Sequence, residues 1–346
     1  MFSDGPKGRA SALIEKSPAL RADAKRHISC YLTSMNDLAL QAHELLKQQI
    51  PSWDLLAKNL ASLAKMESHN FDFGQFTVKA QFNPQRIGSV TAKVDQASIR
   101  NRKCFLCDEN RPPEQMNLDL HNDYKLLCNP FPIVAEHFTI VHKQHLPQLI
   151  ADSFKAMLEI TEMLGSRYNV FYNGPQCGAS APDHLHFQAG NKGGLPLDNE
   201  YDRVKQPLAK RDDLEIFIGE EYLRPFIGLE SRNRQTIERA FSRILNDFGK
   251  HPPDAPEPMV NVFCSHENGI FRTIIFPRTI HRPKSYYAVD PSVRLSFSPG
   301  AADMAGIVVM PVEEQFRRVT KDDMAQMYRE VCPAPQLVRR LAEFSR

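Results

Sequence analysis

Two imidazoles and an amide recur at every second position in Asp183-His184-Leu185-His186-Phe187-Gln188. That period matches a strand, whose successive side chains point to opposite faces. Leu185, Phe187 and Ala189 then face a core, while His184, His186 and Gln188 face the other way. A helix would scatter the three polar groups around its circumference. A neutral imidazole attacks phosphorus readily and departs readily. It can therefore divide one displacement into two through a covalent intermediate. An amide such as Gln188 hydrogen-bonds a phosphoryl oxygen without changing the charge of the site. The preceding loop, Tyr172 to Pro182, is rich in small residues. Gly174 and Gly178 permit backbone conformations in which N–H groups converge on an anion, and Asn173 and Ser180 add side-chain donors.

These residues need elements that hold them. Phe138 to Val141 carries the signal of a buried strand, and Phe154, Met157, Leu158, Thr161 and Leu164 mark an amphipathic helix. Tyr168 to Tyr172 reads as the strand entering the Gly/Ser loop. Strands, helix, strand, loop and active strand, in that order, predict an antiparallel sheet with flanking helices, an α+β class. His137 reads as a structural hydrogen-bonder and His142 as a surface residue.

Upstream, the chain up to about Met66 reads as helical. Leu38, Ala42, Leu45, Leu46 and Gln49 follow helical spacing and stop before Pro51, and Ser52 is the expected N-cap of a second helix. The period then changes. Phe76, Val78, Ala80 and Phe82 alternate, Asn83 to Arg86 reads as a turn, and Val90, Ala92 and Val94 alternate again, predicting strand–turn–strand. Arg86, Arg100 and Arg102 bring positive charge nearby, and Arg86 is the candidate phosphate contact.

Downstream, the pattern recurs in weaker form. Ile237, Phe241, Ile244, Leu245 and Phe248 mark a helix, and Pro252 to Pro256 reads as a linker. Asn261-Val262-Phe263 then echoes Asn169-Val170-Phe171. Phe271 to Phe276 takes the place of the active strand without its histidines. The expectation is a duplicated half that has lost its nucleophile. The resulting division is 1–70 as an N-terminal helical segment, 71–200 as the catalytic half, and 201–346 as the degenerate half. Pro277 to Lys284 is the most basic short segment, read either as a substrate contact or as a solvated loop. Asp303 reads equally as a binder of sugar hydroxyls or as a turn cap. Two short helices, split by Pro333 and Pro335, are expected from Lys321 onward.

Cys104-Phe105-Leu106-Cys107 is followed by a loop, not by the helix that a redox pair usually opens. That favours a metal knuckle, which needs two further ligands. Seven scattered cysteines in 346 residues do not form a disulfide framework. A net charge of +2 gives no argument for nucleic acid or anionic membranes as partners. With no apolar run long enough to span a bilayer and no signal core, a cytoplasmic location is expected.

Gly178-Ala179-Ser180 followed by His184-Leu185-His186-Phe187-Gln188 resembles the active-site strand of the histidine-triad superfamily. The resemblance is to its transferase branch, in which the last triad histidine is Gln. That branch holds galactose-1-phosphate uridylyltransferases, dinucleoside tetraphosphate phosphorylases and GDP-hexose phosphorylases. It implies two histidine-triad-like halves, the second degenerate, and an enzyme in which His186 carries a nucleoside monophosphate with Gln188 beside it. Asn173, Gly178, Ser180 and Arg86 are the implied substrate contacts. The resemblance also completes the metal set, as Cys104, Cys107, His145 and His184 around a structural zinc. It further implies a nucleotide-sugar or dinucleoside polyphosphate substrate, a phosphate or sugar phosphate acceptor, and a homodimer. The alternatives are a hydrolase of the same fold and a non-catalytic, zinc-stabilised nucleotide-binding protein.

Overall fold

The computed structural model describes residues 37–120, 123–249 and 255–344. The helical reading of residues 1–36 and the first three residues of the expected linker lie outside them. The Asp37 carboxylate accepts from the N–H groups of Ala39 and Leu40 and caps α1 (Leu38–Ser52). This helix runs through Pro51 rather than stopping before it, because a proline in the last turn removes only one internal hydrogen bond. Trp53, not Ser52, is the N-cap of α2 (Asp54–Leu63). The Ser52 hydroxyl instead donates back to the carbonyls of Gln48 and Gln49.

β1 (Ser68–Asp72) and β2 (Thr77–Phe82) form a hairpin, and β13 (Ile307–Met310) joins β2 in parallel on its other side. The strand expected over Val90 to Val94 is absent. Ile87–Val90 and Gln96–Arg100 are short helical turns instead. Both edges of β2 are taken, one by β1 and one by a segment more than two hundred residues downstream, so alternation at 90–94 had no partner to pair with.

The main sheet is built from β3 (Asn117–Asp119), β4 (Tyr124–Cys128), β5 (His137–His142), β6 (Tyr168–Asn173) and β7 (His186–Asn191), with α3 (Phe154–Leu164) between β5 and β6. After α4 (Pro196–Val204) come β8 (Gln206–Arg211), β9 (Leu214–Ile218), β10 (Ile227–Ser231), α5 (Arg234–Phe248), β11 (Val260–Glu267) and β12 (Ile270–Pro277). The spatial order is β3-β4-β5-β7-β6-β11-β12-β10-β9-β8. Every junction is antiparallel. The α+β class is therefore observed, and the order reads the same from both ends.

The two five-strand groups meet where β6 pairs with β11. There Phe171 lies opposite Phe263, with ring centroids 6.2 Å apart, and Asn173 lies opposite Asn261. Outward from that seam, Gln188 lies opposite Phe171 and Ile274 opposite Phe263. Two residues earlier on each strand stand His186 and Arg272. Arg272 is ion-paired to Glu230 at 3.0 Å and Asp202 at 3.3 Å, and its guanidinium lies 4.3 Å from the Tyr201 ring centroid. One side of the sheet thus carries an imidazole where the other carries an ion-paired arginine.

The pleat sorts the side chains as the period of two requires. Phe138, Ile140, Val170, Tyr172, Phe187, Ala189, Val262 and Cys264 are buried on the face covered by α3 and α5. Phe171, Phe263, Ile274 and Phe276 are buried on the opposite face, with residues of α4, β2 and β13. α6 (Lys321–Val331) and α7 (Pro335–Phe344) are separated at Pro333 as expected, and Val338, Leu341 and Ala342 of α7 join the first core. Among the described residues no helix is long and apolar enough to cross a membrane.

Candidate active site

His186 opens β7 and is 7% exposed. Its ring Nδ1 lies 2.8 Å from the His184 carbonyl oxygen. A carbonyl only accepts, so Nδ1 carries the proton and Nε2 keeps its lone pair. Burial pushes its pKa down to about 4, which keeps the ring neutral and nucleophilic. The strand around it is clamped by Gln148, which is fully buried. The Gln148 Oε1 accepts from the His186 N–H at 2.8 Å. Its Nε2 donates to the carbonyls of His186 and Asn173, both at 2.9 Å. The residue expected to be the nucleophile is thus tied to the strand that leads into the loop.

The orientation of Gln188 follows from a chain of partners. The Ile133 N–H donates to Nδ1 of His137 at 3.4 Å, so the His137 proton sits on Nε2. That N–H donates to Gln188 Oε1 at 2.9 Å. With its oxygen engaged, Gln188 presents its NH2 group to the cavity. Burial lowers the His137 pKa to about 3, so the ring stays neutral and the amide stays in this orientation. Asn173 is set in the same way. Its Oδ1 accepts from the Ala301 N–H at 2.6 Å and from Asn261 Nδ2 at 3.0 Å, leaving its own NH2 toward the cavity.

Two hollows meet here. The larger, of about 590 Å³, is lined by His186 and by apolar groups that include Leu55, Phe105, Leu106, Leu127 and Phe131. The smaller, of about 40 Å³, is lined by Ser298 and Asp303 but not by His186. Asn173, Gly178, Ser180, Gln188, Arg86 and Ser89 line both. Arg86 donates from Nη1 to the Phe131 carbonyl at 3.0 Å, and its buried Nε has no protein partner. The structure therefore brings every expected substrate contact to the junction of the two hollows.

Gly178 at this junction has φ +94°, and a Cβ added to it would meet the Gly300 Cα at 2.6 Å. Gly178→Ala combines a backbone penalty with a clash against main chain. We expect it to lower unfolding free energy by roughly 2–4 kcal/mol in urea titration and to displace Ser180. A variant with unchanged stability and turnover would contradict this packing.

Cys104, Cys107, His145 and His184 converge, with one ligand atom from each within 4.8 Å of the others. The Sγ–Nδ1 distances are 3.3 Å for Cys104–His184, 3.5 Å for Cys107–His184 and 3.2 Å for Cys107–His145. Tetrahedral zinc with bonds of about 2.3 Å to sulfur and 2.0 Å to nitrogen gives S–N edges of about 3.5 Å, so the donor set fits that ion. The His184 Nε2 lies 2.8 Å from the His142 carbonyl oxygen, which fixes the tautomer that leaves Nδ1 to coordinate. Four protein ligands leave no open coordination position, so a bound ion would act structurally, anchoring the chain two residues before His186.

Several roles differ from expectation. Strand pairing begins at His186, and His184 stands just before it, turned to the cysteine pair. The basic segment is neither a solvated loop nor a substrate contact at Arg278, which is fully buried and donates to five oxygens. For Asp303 the turn cap, one of its two expected readings, is observed: its carboxylate accepts from the N–H groups of Gly300 at 2.8 Å and Val309 at 3.3 Å. Gln148, His137 and Asn261 were not singled out as site residues. His137 leaves a trace in the sequence as a histidine sharing a strand face with Thr139, and Asn261 leaves one as part of the echo of Asn169, whereas Gln148 leaves none.

Residues 45–191 match the profile of a family described as a domain of unknown function, DUF4922. No curated protein matches the chain. The structure is similar to yeast Ap4A phosphorylase Apa2, with a TM-score of 0.50 and 18% identity, covering 83% of this chain and 94% of that one. The same yeast protein in complex with AMP gives 0.51 and 19%, covering 82% of this chain and 94% of that one. In complex with Ap4A it gives 0.51 and 17%, covering 83% and 97%. The chain therefore shares the α+β fold of Ap4A phosphorylase, and the family match spans the stretch that carries His186, Gln188 and the four candidate metal ligands.

Proposed function

We propose that the protein is a nucleotidyltransferase or phosphorylase that works by double displacement at His186. The observation that carries this is that His186, with its Nε2 lone pair kept, lines one hollow with Gln188 and Asn173, whose amide NH2 groups are each turned outward by a partner on the oxygen. Nε2 attacks the α-phosphorus of a bound nucleotide. A P–N bond forms, and the P–O bond to the leaving phosphate breaks, with the electron pair departing on oxygen. An acceptor phosphate oxygen then attacks the same phosphorus, a P–O bond forms, and the P–N bond breaks to restore the lone pair. While phosphorus is attached, the ring is cationic, and its Nδ1–H bond to the His184 carbonyl strengthens. Gln188, Asn173 and Arg86 meet the charge that accumulates on the non-bridging oxygens.

The larger, apolar hollow takes the nucleoside. The smaller one, which His186 does not line, takes the departing and then the incoming phosphate. Complexes of the similar yeast enzyme with AMP and Ap4A support a nucleotide substrate. The substrate classes are NDP-sugars of the GDP- or UDP-hexose kind and dinucleoside polyphosphates, and the acceptors are phosphate or a sugar phosphate. The palindromic sheet supports a division into a catalytic half, 71–200, and a degenerate second half, 201–346, both histidine-triad-like. A cytoplasmic homodimer is the setting that goes with this reading.

The test is a panel of NDP-sugars and dinucleoside polyphosphates, each with and without inorganic phosphate, followed by nucleotide release. Release that requires phosphate is the expected result. Release at equal rates without it would make the protein a hydrolase, and tight binding without release would make it a nucleotide-binding protein.

A further inference from the structure

In the second five-strand group β12, which stands where β7 stands in the first, carries no histidine, yet a side chain of that group reaches the cavity donors. Asn261 on β11 is fully buried. Its Oδ1 accepts from Nη1 of Arg278 at 2.7 Å, so its NH2 must point the other way. That NH2 donates to two acceptors, Asn173 Oδ1 at 3.0 Å and the Cys177 carbonyl at 2.7 Å. The first sets which end of the Asn173 amide faces the cavity. The second pins the Gly/Ser loop one residue before the left-handed Gly178. Arg278 is in turn immobilised by the carbonyls of Val331, Pro299, Ile280 and His281.

We propose that Asn261, oriented by Arg278, is a positioning residue: it holds the Asn173 amide with its donor end toward the transferred phosphoryl group. The direction of each hydrogen bond leaves no other arrangement. A guanidinium has no acceptor, so Arg278 dictates the Asn261 oxygen, Asn261 dictates the Asn173 oxygen, and the Asn173 NH2 is what remains for an anion. The half without a nucleophile thus supplies polarity to the half that has one. The role for Asn173 rests on the proposed function, but the orientation of Asn173 does not.

The decisive variant is Asn261→Asp. It conserves shape and keeps a partner for Arg278, but it replaces the donors to Asn173 and to the Cys177 carbonyl with an acceptor. A charge-assisted bond outweighs the neutral one from Ala301, so the Asn173 amide turns and shows its oxygen to the cavity. The probe is tungstate, a tetrahedral oxyanion, bound to wild type, Asn261→Asp and Asn261→Ala by calorimetry and in crystals. We expect Asn261→Asp to weaken tungstate at least tenfold and more than Asn261→Ala does, while unfolding ranks the two variants in the opposite order. Neutron diffraction from deuterium-exchanged crystals, which separates a deuterated amide group from oxygen, should show the Asn173 Oδ1 no longer within hydrogen-bond distance of the Ala301 nitrogen. An unmoved Asn173 in Asn261→Asp overturns the inference, as does tungstate affinity that simply follows stability. If wild type binds no tungstate, the phosphoryl-transfer reading fails, and the orientation of Asn173 in the variant still decides this one.

Discussion

On the proposed double displacement, replacing His186 with glycine should abolish covalent nucleotidyl labelling and lower turnover by about 10⁴-fold or more, as loss of a nucleophile does elsewhere. The expectation rests on the lack of a substitute. Among the site side chains, Gln188 and Asn173 are amides, and burial pushes the nearby Cys177 thiol up to about 12, which leaves no thiolate to take over. His137 is neutral but has both nitrogens committed, one to the Ile133 N–H and one to Gln188. The fold should survive, because the strand is clamped through the Gln148 contacts to the His186 backbone, which glycine keeps. Added imidazole should enter the vacated space and restore part of the turnover without restoring labelling of the protein. Labelling that persists in His186→Gly, measured with α-labelled substrate from the panel above, would remove His186 from the mechanism.

The second large effect is on the metal site. Elemental analysis should find one zinc ion per chain in the wild type and none in Cys104→Ser, because the four donors fit that ion. Nucleotidyl transfer should fall on the order of 10–100-fold. The reason is mechanical. His184 supplies the carbonyl that holds the His186 Nδ1–H, and its own ring is held by the cysteine pair, the His142 carbonyl and an edge-on contact with the His145 ring. Freeing that ring loosens the carbonyl two residues from the nucleophile. Melting temperature should fall with it, since ion binding to the folded state alone adds to stability. A wild-type protein with no metal and full activity would show that the four side chains serve packing alone.

Local periodicity made part of this structure legible. The alternation at 184–189 placed His186 and Gln188 on one face with Phe187 and Ala189 buried behind them. The helix over Phe154–Leu164 and the strand from Tyr168 followed from apolar spacing in the same way. What escaped was long-range pairing. β1 has no buried residue and so no apolar signal, and its partner β2 finds its other neighbour in β13. Arg278 looked like an exposed base because its five acceptors come from segments that only folding assembles. Asn261 stood in the echo of Asn169, where it served as evidence of repetition rather than as a contact to Asn173. The C-x-x-C was legible as a knuckle, but its remaining ligands came from a likeness to known proteins and not from spacing.

The join between β6 and β11 has a consequence for any attempt to divide the chain. A cut near the loop before α4 would yield two five-stranded fragments, each with a raw, inward-facing strand whose amides and carbonyls had lost their mates. Such margins template association with other chains, so each fragment should precipitate or pair promiscuously rather than fold alone. The second five-strand group is in this sense a bookend: whatever chemistry it carries, it covers a margin that the first group cannot leave bare.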